Sequence, residues 1–229
     1  MEFRLVFDTI PDAFDRYRPH YPAIVYQTLF PYAHLTPGSA VLELGPGITR
    51  RRSELNGGFK MILETERLCL REMDEGDFPA LCRILQDEET MYAYEGAFSD
   101  EEARQWLDRQ IARYRAWGFG LWAVVLKETD EMIGQCGLTV QPWKDTEVLE
   151  IGYLFERRHW HKGYATEAAR ACKEYAFSVL KASFVCSIIR DTNTASQKVA
   201  HRIGMTATDS WVKHYRGVDM PHLLFTAGR

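Results

Sequence analysis

A chain of 229 residues with a 46% apolar share holds one sizeable domain, or one domain and a fragment. Its formal charge of −4, with acids and bases interspersed, argues against a nucleic-acid binder held by an overall field. Five scattered cysteines with no C-x-x-C pair argue against a zinc site, and no apolar run is long enough for a membrane span, so a metal-free cytoplasmic protein is expected.

The N-terminus carries Glu2 and Asp8 rather than the basic-then-apolar layout of a signal peptide. Residues 1–50 read as two helices, a turn at Thr36-Pro37-Gly38-Ser39, and a short buried strand from Ala40 to Leu44 broken by Gly45-Pro46-Gly47. Residues 51–60 are charged and Gly-rich, which reads as a linker, and a new pattern runs over 61–229. Arg67 to Arg71 is a strand. Asp74 caps a helix with Phe78, Leu81, Cys82 and Leu85 on one face. Ser99 and Glu102 form a capping box for a second helix that buries Ala103, Trp106, Leu107, Ile111 and Tyr114. Phe119 to Leu126 and Met132 to Val140 are strands of a hairpin turning at Glu128-Thr129-Asp130-Glu131, and Glu147 to Phe155 is the next strand. A long helix from Gly163 to Leu180 keeps Ala165, Ala168, Ala169, Cys172, Ala176, Val179 and Leu180 at helical spacing. A strand from Phe184 to Ile189, a helix from Thr194 to Ile203, and strands from Thr206 to Tyr215 and His222 to Thr226, turning near Gly217, complete an α+β (mixed α/β) order.

The chemistry concentrates in Arg157-Arg158-His159-Trp160-His161-Lys162-Gly163-Tyr164-Ala165-Thr166-Glu167-Ala168. A strand ends, a loop turns and a small-residue helix begins, leaving backbone N–H groups unpaired at a positive helix end, where phosphate binds well. This stretch resembles the acyl-CoA diphosphate loop of GNAT acetyltransferases, in the branch of the ribosomal-protein N-terminal acetyltransferases. Glu150-Ile151-Gly152-Tyr153 before it, Asp191 to Ala200 and Ile203-Gly204-Met205 after it, and the opening Glu64-Thr65-Glu66-Arg67-Leu68-Cys69-Leu70-Arg71 fit the same pattern, over about three quarters of the chain. His161 departs from it, standing where the branch usually has Gly. Its side chain crowds the loop, assists the diphosphate, or points outward.

The resemblance implies the GNAT acyl-CoA N-acyltransferase fold: a central mixed sheet flanked by helices, splayed between the strands at 147–155 and 184–189, with the pantetheine arm in the gap. It implies acetyl-CoA as co-substrate, held by backbone groups near Tyr153, Leu154 and Phe155 and by the loop His161, Lys162, Gly163, Tyr164, Ala165 and Thr166. One backbone N–H would polarise the thioester carbonyl. The acceptor would be a primary amine, on a protein N-terminus or a small molecule, attacking directly through a tetrahedral intermediate. The amine must lose a proton, and Glu150 on the cofactor strand is the first candidate base, with a structural salt bridge as its alternative. His214 and Tyr215 are rivals. Ser196 is the implied thiol-side group, or else a first-turn residue bonding to backbone. Asn193 either bonds the pantetheine or caps its helix. Trp106, Trp117 and Trp122 read as core or pocket walls, and the segments Met91 to Phe98 and Lys213 to Pro221 as the acceptor side.

A non-catalytic acyl-CoA-sensing module is the alternative from another class. No nucleic-acid or membrane partner is expected, and the assembly is a monomer or homodimer. Phe14 to Pro19 and Val41 to Gly47 resemble the start of a class I methyltransferase that binds S-adenosylmethionine, but the rest of that domain is missing, so residues 1–50 read as a truncated fragment without a second activity.

Overall fold

The computed structural model describes residues 60–215 and 217–229; the fragment expected at 1–50 and nearly all of the linker lie outside the described residues. The described chain forms β1 (Met61–Glu64), β2 (Leu68–Arg71), α1 (Phe78–Leu85), α2 (Asp100–Trp117), β3 (Leu121–Leu126), β4 (Glu131–Trp143), β5 (Thr146–Phe155), α3 (Tyr164–Ser178), β6 (Phe184–Arg190), α4 (Thr194–Arg202), β7 (Thr206–Tyr215) and β8 (Val218–Gly228).

Local chemistry sets most boundaries. Both halves of the Ser99/Glu102 capping box form, and α2 stops at Gly118, whose φ of 75° is left-handed. Asp74 caps a short 3₁₀ turn, Glu75–Asp77, and α1 follows with Pro79 in its first turn. The hairpin between β4 and β5 turns on Lys144 (φ 52°) and Asp145, so β4 continues past Pro142 instead of ending at Val140. β1 is an addition to the sequence reading. It is a four-residue edge strand whose two ends are exposed, so it carries almost no buried alternation. Val179, expected inward, lies past the last turn of α3 and is 57% exposed. Trp122 is fully buried, as a core residue should be, whereas Trp117 is exposed at the end of α2.

Among the described residues the eight strands follow the order β1-β2-β3-β4-β5-β6-β8-β7. Neighbours are antiparallel except β5 and β6, which are parallel and meet at a single pair, Glu150 with Cys186. Adjacent residues of β4 show which helix covers which face. Trp106 of α2 donates its indole N–H to Gln135 (2.9 Å), while the Cys136 sulfur lies 3.6 Å from that of Cys172 in α3. Successive strand residues point to opposite faces, so α2 and α3 sandwich the sheet. α1 packs on α2 and β4, and α4 on α3 and β6. The core fills both layers with buried Leu, Ile, Val and Ala side chains. None of the five cysteines forms a disulfide, and no described helix is long and apolar enough to cross a membrane.

Candidate active site

The site begins where the sheet fails. After Glu150 and Cys186, β5 and β6 diverge, and side chains take over the bridging. Ser187 donates its hydroxyl to the Ile151 carbonyl (2.9 Å), and the Ile188 N–H donates to the Glu150 carboxylate (3.2 Å). Strand parity then assigns the remaining backbone groups. The Glu156 N–H turns toward β4, bonding Ile133 O, and the Ile151 carbonyl turns toward β6. Backbone direction alternates along a strand, so Tyr153 and Phe155 turn their N–H groups into the gap while Leu154 turns its own to β4. Leu154 also lines the cavity. The Phe155 carbonyl is already taken by the Trp160 indole (2.8 Å), leaving its N–H.

Beyond β5 the chain makes a 3₁₀ turn, Arg157–His159, and reaches α3 through the predicted loop. Gly163 occupies the N-cap with φ 83°, and no side chain caps the helix. The first N–H groups of α3, at Tyr164, Ala165 and Thr166, therefore have no partner within the helix. A Cβ at Gly163 would meet nothing closer than the Arg67 guanidinium at 3.5 Å, so its left-handed backbone, rather than lack of space, selects glycine there. His161 also has positive φ, 61°, and is exposed. The usual Gly at this position suits that backbone, and the histidine adopts it with its side chain outward. The loop is braced from a distance: Arg67 donates to the Lys162 carbonyl (3.1 Å), pairs with Glu167 (2.6 Å) and lies 4.5 Å over the Tyr164 ring. Thr65 also donates to Glu167 (2.6 Å). The one acid in the first turn is thus neutralised beside the helix end.

A cavity of about 440 Å³ opens along the gap. Glu150 faces it from the α2 side, since Thr139, its cross-strand partner, shares parity with Gln135. Its carboxylate accepts from the Thr139 hydroxyl (3.2 Å) and from Ile188 N–H. Burial pushes this carboxyl above the usual carboxylate range, against the opposing pull of the Ile188 N–H, Lys213, Thr139 and Arg113. The carboxylate is half-buried and hydrogen-bonded, with no cation within ion-pair distance among the described residues. Gly152 leaves less room than expected, because a Cβ there would come within 3.1 Å of Leu121.

Ser196 and Tyr153 lie on the opposite face, under α4. The Ser196 hydroxyl donates to the Tyr153 hydroxyl (3.0 Å), which donates to the Ser196 carbonyl (2.9 Å). Burial raises the Tyr153 phenol, so it stays protonated. Sequence reading assigned Tyr153 a backbone role only. Asn193 caps its helix, its side-chain oxygen accepting the Ser196 N–H (3.0 Å) at the start of α4, and it also lines the cavity. His214 and Tyr215 sit at the cavity rim, and His214 is 68% exposed beside Asp219 (2.9 Å). The two expected acceptor segments both reach the cavity, through Tyr94 and Phe98 and through Lys213 and Met220. Trp106, read as a core or pocket wall, joins them, together with Arg109, Arg113 and Thr139, which sequence reading did not single out.

The acetyltransferase (GNAT) domain family matches residues 67–206. YkkB of Bacillus subtilis (strain 168), an uncharacterized protein, is 39% identical over 147 residues, covering 64% of this chain and 86% of its own. The uncharacterized N-acetyltransferase p20 of Bacillus licheniformis is 33% identical over 143 residues, covering 62% of this chain and 80% of its own. A solved acetyltransferase structure from Agrobacterium tumefaciens str. C58 is 30% identical with a TM-score of 0.62, covering 73% of this chain and 94% of that one. These comparisons give no support to the methyltransferase resemblance of residues 1–50.

Proposed function

Because the chain belongs to the GNAT acetyltransferase family, we propose that it moves acetyl from acetyl-CoA to a primary amine by direct attack, with Glu150 as general base. One observation carries the reading: the sheet opens at Glu150, and the half-buried, hydrogen-bonded carboxylate of Glu150 stands at the mouth of that opening. The residues fit the donor along its length. The uncapped start of α3 offers N–H groups to a diphosphate, and the gap offers the Tyr153 backbone to pantetheine amides. In this reading the Tyr153 N–H, turned into the gap by strand parity, polarises the thioester carbonyl.

Glu150 takes the amine proton from the α2 side, directly or through one water. Its raised pKa suits a group that must hold a proton briefly near neutral pH. As the C–S bond breaks, the Tyr153 and Ser196 hydroxyls give a proton to the departing thiolate from the α4 side. Free thiol and acetylated amine should therefore appear together when the protein meets acetyl-CoA and a panel of amines and peptide N-termini. Tight CoA binding without thiol release from any amine would instead favour a sensing module. Acceptors on a protein N-terminus and on a small molecule both remain within this reading, and the panel separates them.

A further inference from the structure

The acceptor half of the cavity carries a charge pattern that acetyl transfer alone does not require. Arg109 and Arg113 stand one turn apart on α2, and Lys213 of β7 lines the same cavity. Arg190, which also borders the cavity, is paired with Glu95. Arg109, Arg113 and Lys213 have no such partner. Among the described residues no carboxylate lies within ion-pair distance of any of them. Arg113 donates only to the Gln110 amide oxygen (3.2 Å), Arg109 lies 5.7 Å from the Trp106 ring, and Lys213 lies 5.8 and 5.6 Å from the Trp143 and Trp211 rings. Glu150 is the single carboxylate among the described residues lining the cavity, and it acts on Arg113 and Lys213 through space. With Arg190, the fourth cation of the lining, offset by Glu95, three cations against one anion leave an uncompensated positive charge in a partly desolvated site.

The phosphates of the donor do not account for it. From Glu150 to Phe155 the strand advances five residues, about 17 Å at about 3.3 Å each, and the diphosphate loop lies beyond Phe155. We propose that the acceptor amine carries an anionic oxygen group, a carboxylate or a phosphate, which Arg113 and Lys213 bind with Arg109 at the rim. The inference rests on the acetyl-transfer reading and narrows its acceptor. The anion of such a substrate replaces the missing counter-charge, while its amine is drawn toward Glu150. A polyamine, by contrast, brings more positive charge to a site already in excess.

The test compares matched acceptors that differ only in the anion: β-alanine with β-alaninamide for the carboxylate, O-phosphoethanolamine with ethanolamine for the phosphate, and spermidine as the polycation. At least one anionic member should exceed its neutral partner about tenfold or more in kcat/KM, the size of one charged hydrogen bond, and this advantage should shrink with added salt. Arg113→Gln and Lys213→Met should each cut that ratio about tenfold without changing the KM for acetyl-CoA. Thermal melts confirm folding, and if Arg113→Gln fails to fold, Lys213→Met decides alone. Equal or better use of the neutral amines or spermidine overturns the inference and leaves acetyl transfer standing. So does an unchanged ratio in the folded variants, or an equal rise in the KM for acetyl-CoA. Thiol release with no amine at all overturns the transfer reading itself, and this inference with it.

Discussion

Replacing Glu150 by Gln separates two jobs that the native side chain performs at once. The carboxylate accepts the Ile188 N–H and the Thr139 hydroxyl, and it is the proposed base. Glutamine keeps the length and one acceptor oxygen for Ile188, so the gap should stay open, but it cannot take a proton from an amine. The expected loss in kcat is about 10²–10⁴-fold, the range for general base catalysis, or about 3–5 kcal/mol of transition-state stabilisation. Glu150→Ala should lose as much and also raise the KM for acetyl-CoA, because it leaves the Ile188 N–H unpaired. Steady-state thiol release as a function of pH reads both effects. In the wild type, kcat/KM should fall as pH drops through a carboxyl pKa lying above the usual range. That limb should vanish in Glu150→Gln, whose residual rate should climb with pH as more amine becomes neutral. Stability gives a second readout. A carboxyl whose pKa rises on folding contributes stability that is full below the unfolded pKa and lost as pH rises through the folded one. Relative to the wild type, Glu150→Gln should therefore gain Tm between acid and neutral pH. Wild-type turnover across pH in Glu150→Gln would refute the assignment of the base.

Three further outcomes are expected. His161→Gly places the residue without a Cβ at φ 61° and should raise the unfolding free energy in urea by about 1 kcal/mol; a decrease would mean that the histidine makes contacts outweighing its backbone cost. Gly163→Val puts a β-branched residue at φ 83° and should raise the KM for acetyl-CoA severalfold or more in a folded protein, and calorimetry showing unchanged CoA affinity would place the diphosphate elsewhere. Tyr153→Phe and Ser196→Ala should each lower kcat with little change in the KM for acetyl-CoA, and the double variant should lose less than the product of the two, since the hydroxyls act as one unit; fully multiplicative losses would separate them.

The parts of the site legible in the sequence were those written locally. Trp160 to Ala168 announces a helix end that binds phosphate, and Ser99 with Glu102 announces where α2 starts. What stayed hidden depends on residues brought together from far apart. Arg67 and Glu167 stand 100 positions apart, and neither charge looks unusual on its own. Arg109 and Arg113 occur in a helix dense with charge, where a solvated face is the ordinary reading; only the approach of β7 turns that face into a cavity wall. Tyr153 reads as a strand residue until α4 brings Ser196 onto its hydroxyl. His161 is a different case. The departure from glycine was visible, but the positive φ that gives it physical meaning belongs to the folded backbone.

Strand parity ties the proposed chemistry together. Glu150 and Tyr153 are three residues apart on β5, an odd separation, so they point to opposite faces of the sheet. In an intact sheet that would keep them apart for good, with a layer of backbone between. The divergence of β5 from β6 removes that layer at the one place where both side chains border it. A thioester lying edge-on in the gap is then open to a base from the α2 side and to a hydroxyl pair from the α4 side. The proton leaving the amine and the proton reaching the thiolate need not share a path, so base and acid can hold different pKa values in separate surroundings. Glu150 sits among Thr139, Ile188 N–H and nearby cations that temper its burial, while the half-buried Tyr153, bonded to Ser196, stays protonated. The glutamate also keeps the divergence satisfied, accepting an N–H that a closed sheet would have paired with the next strand.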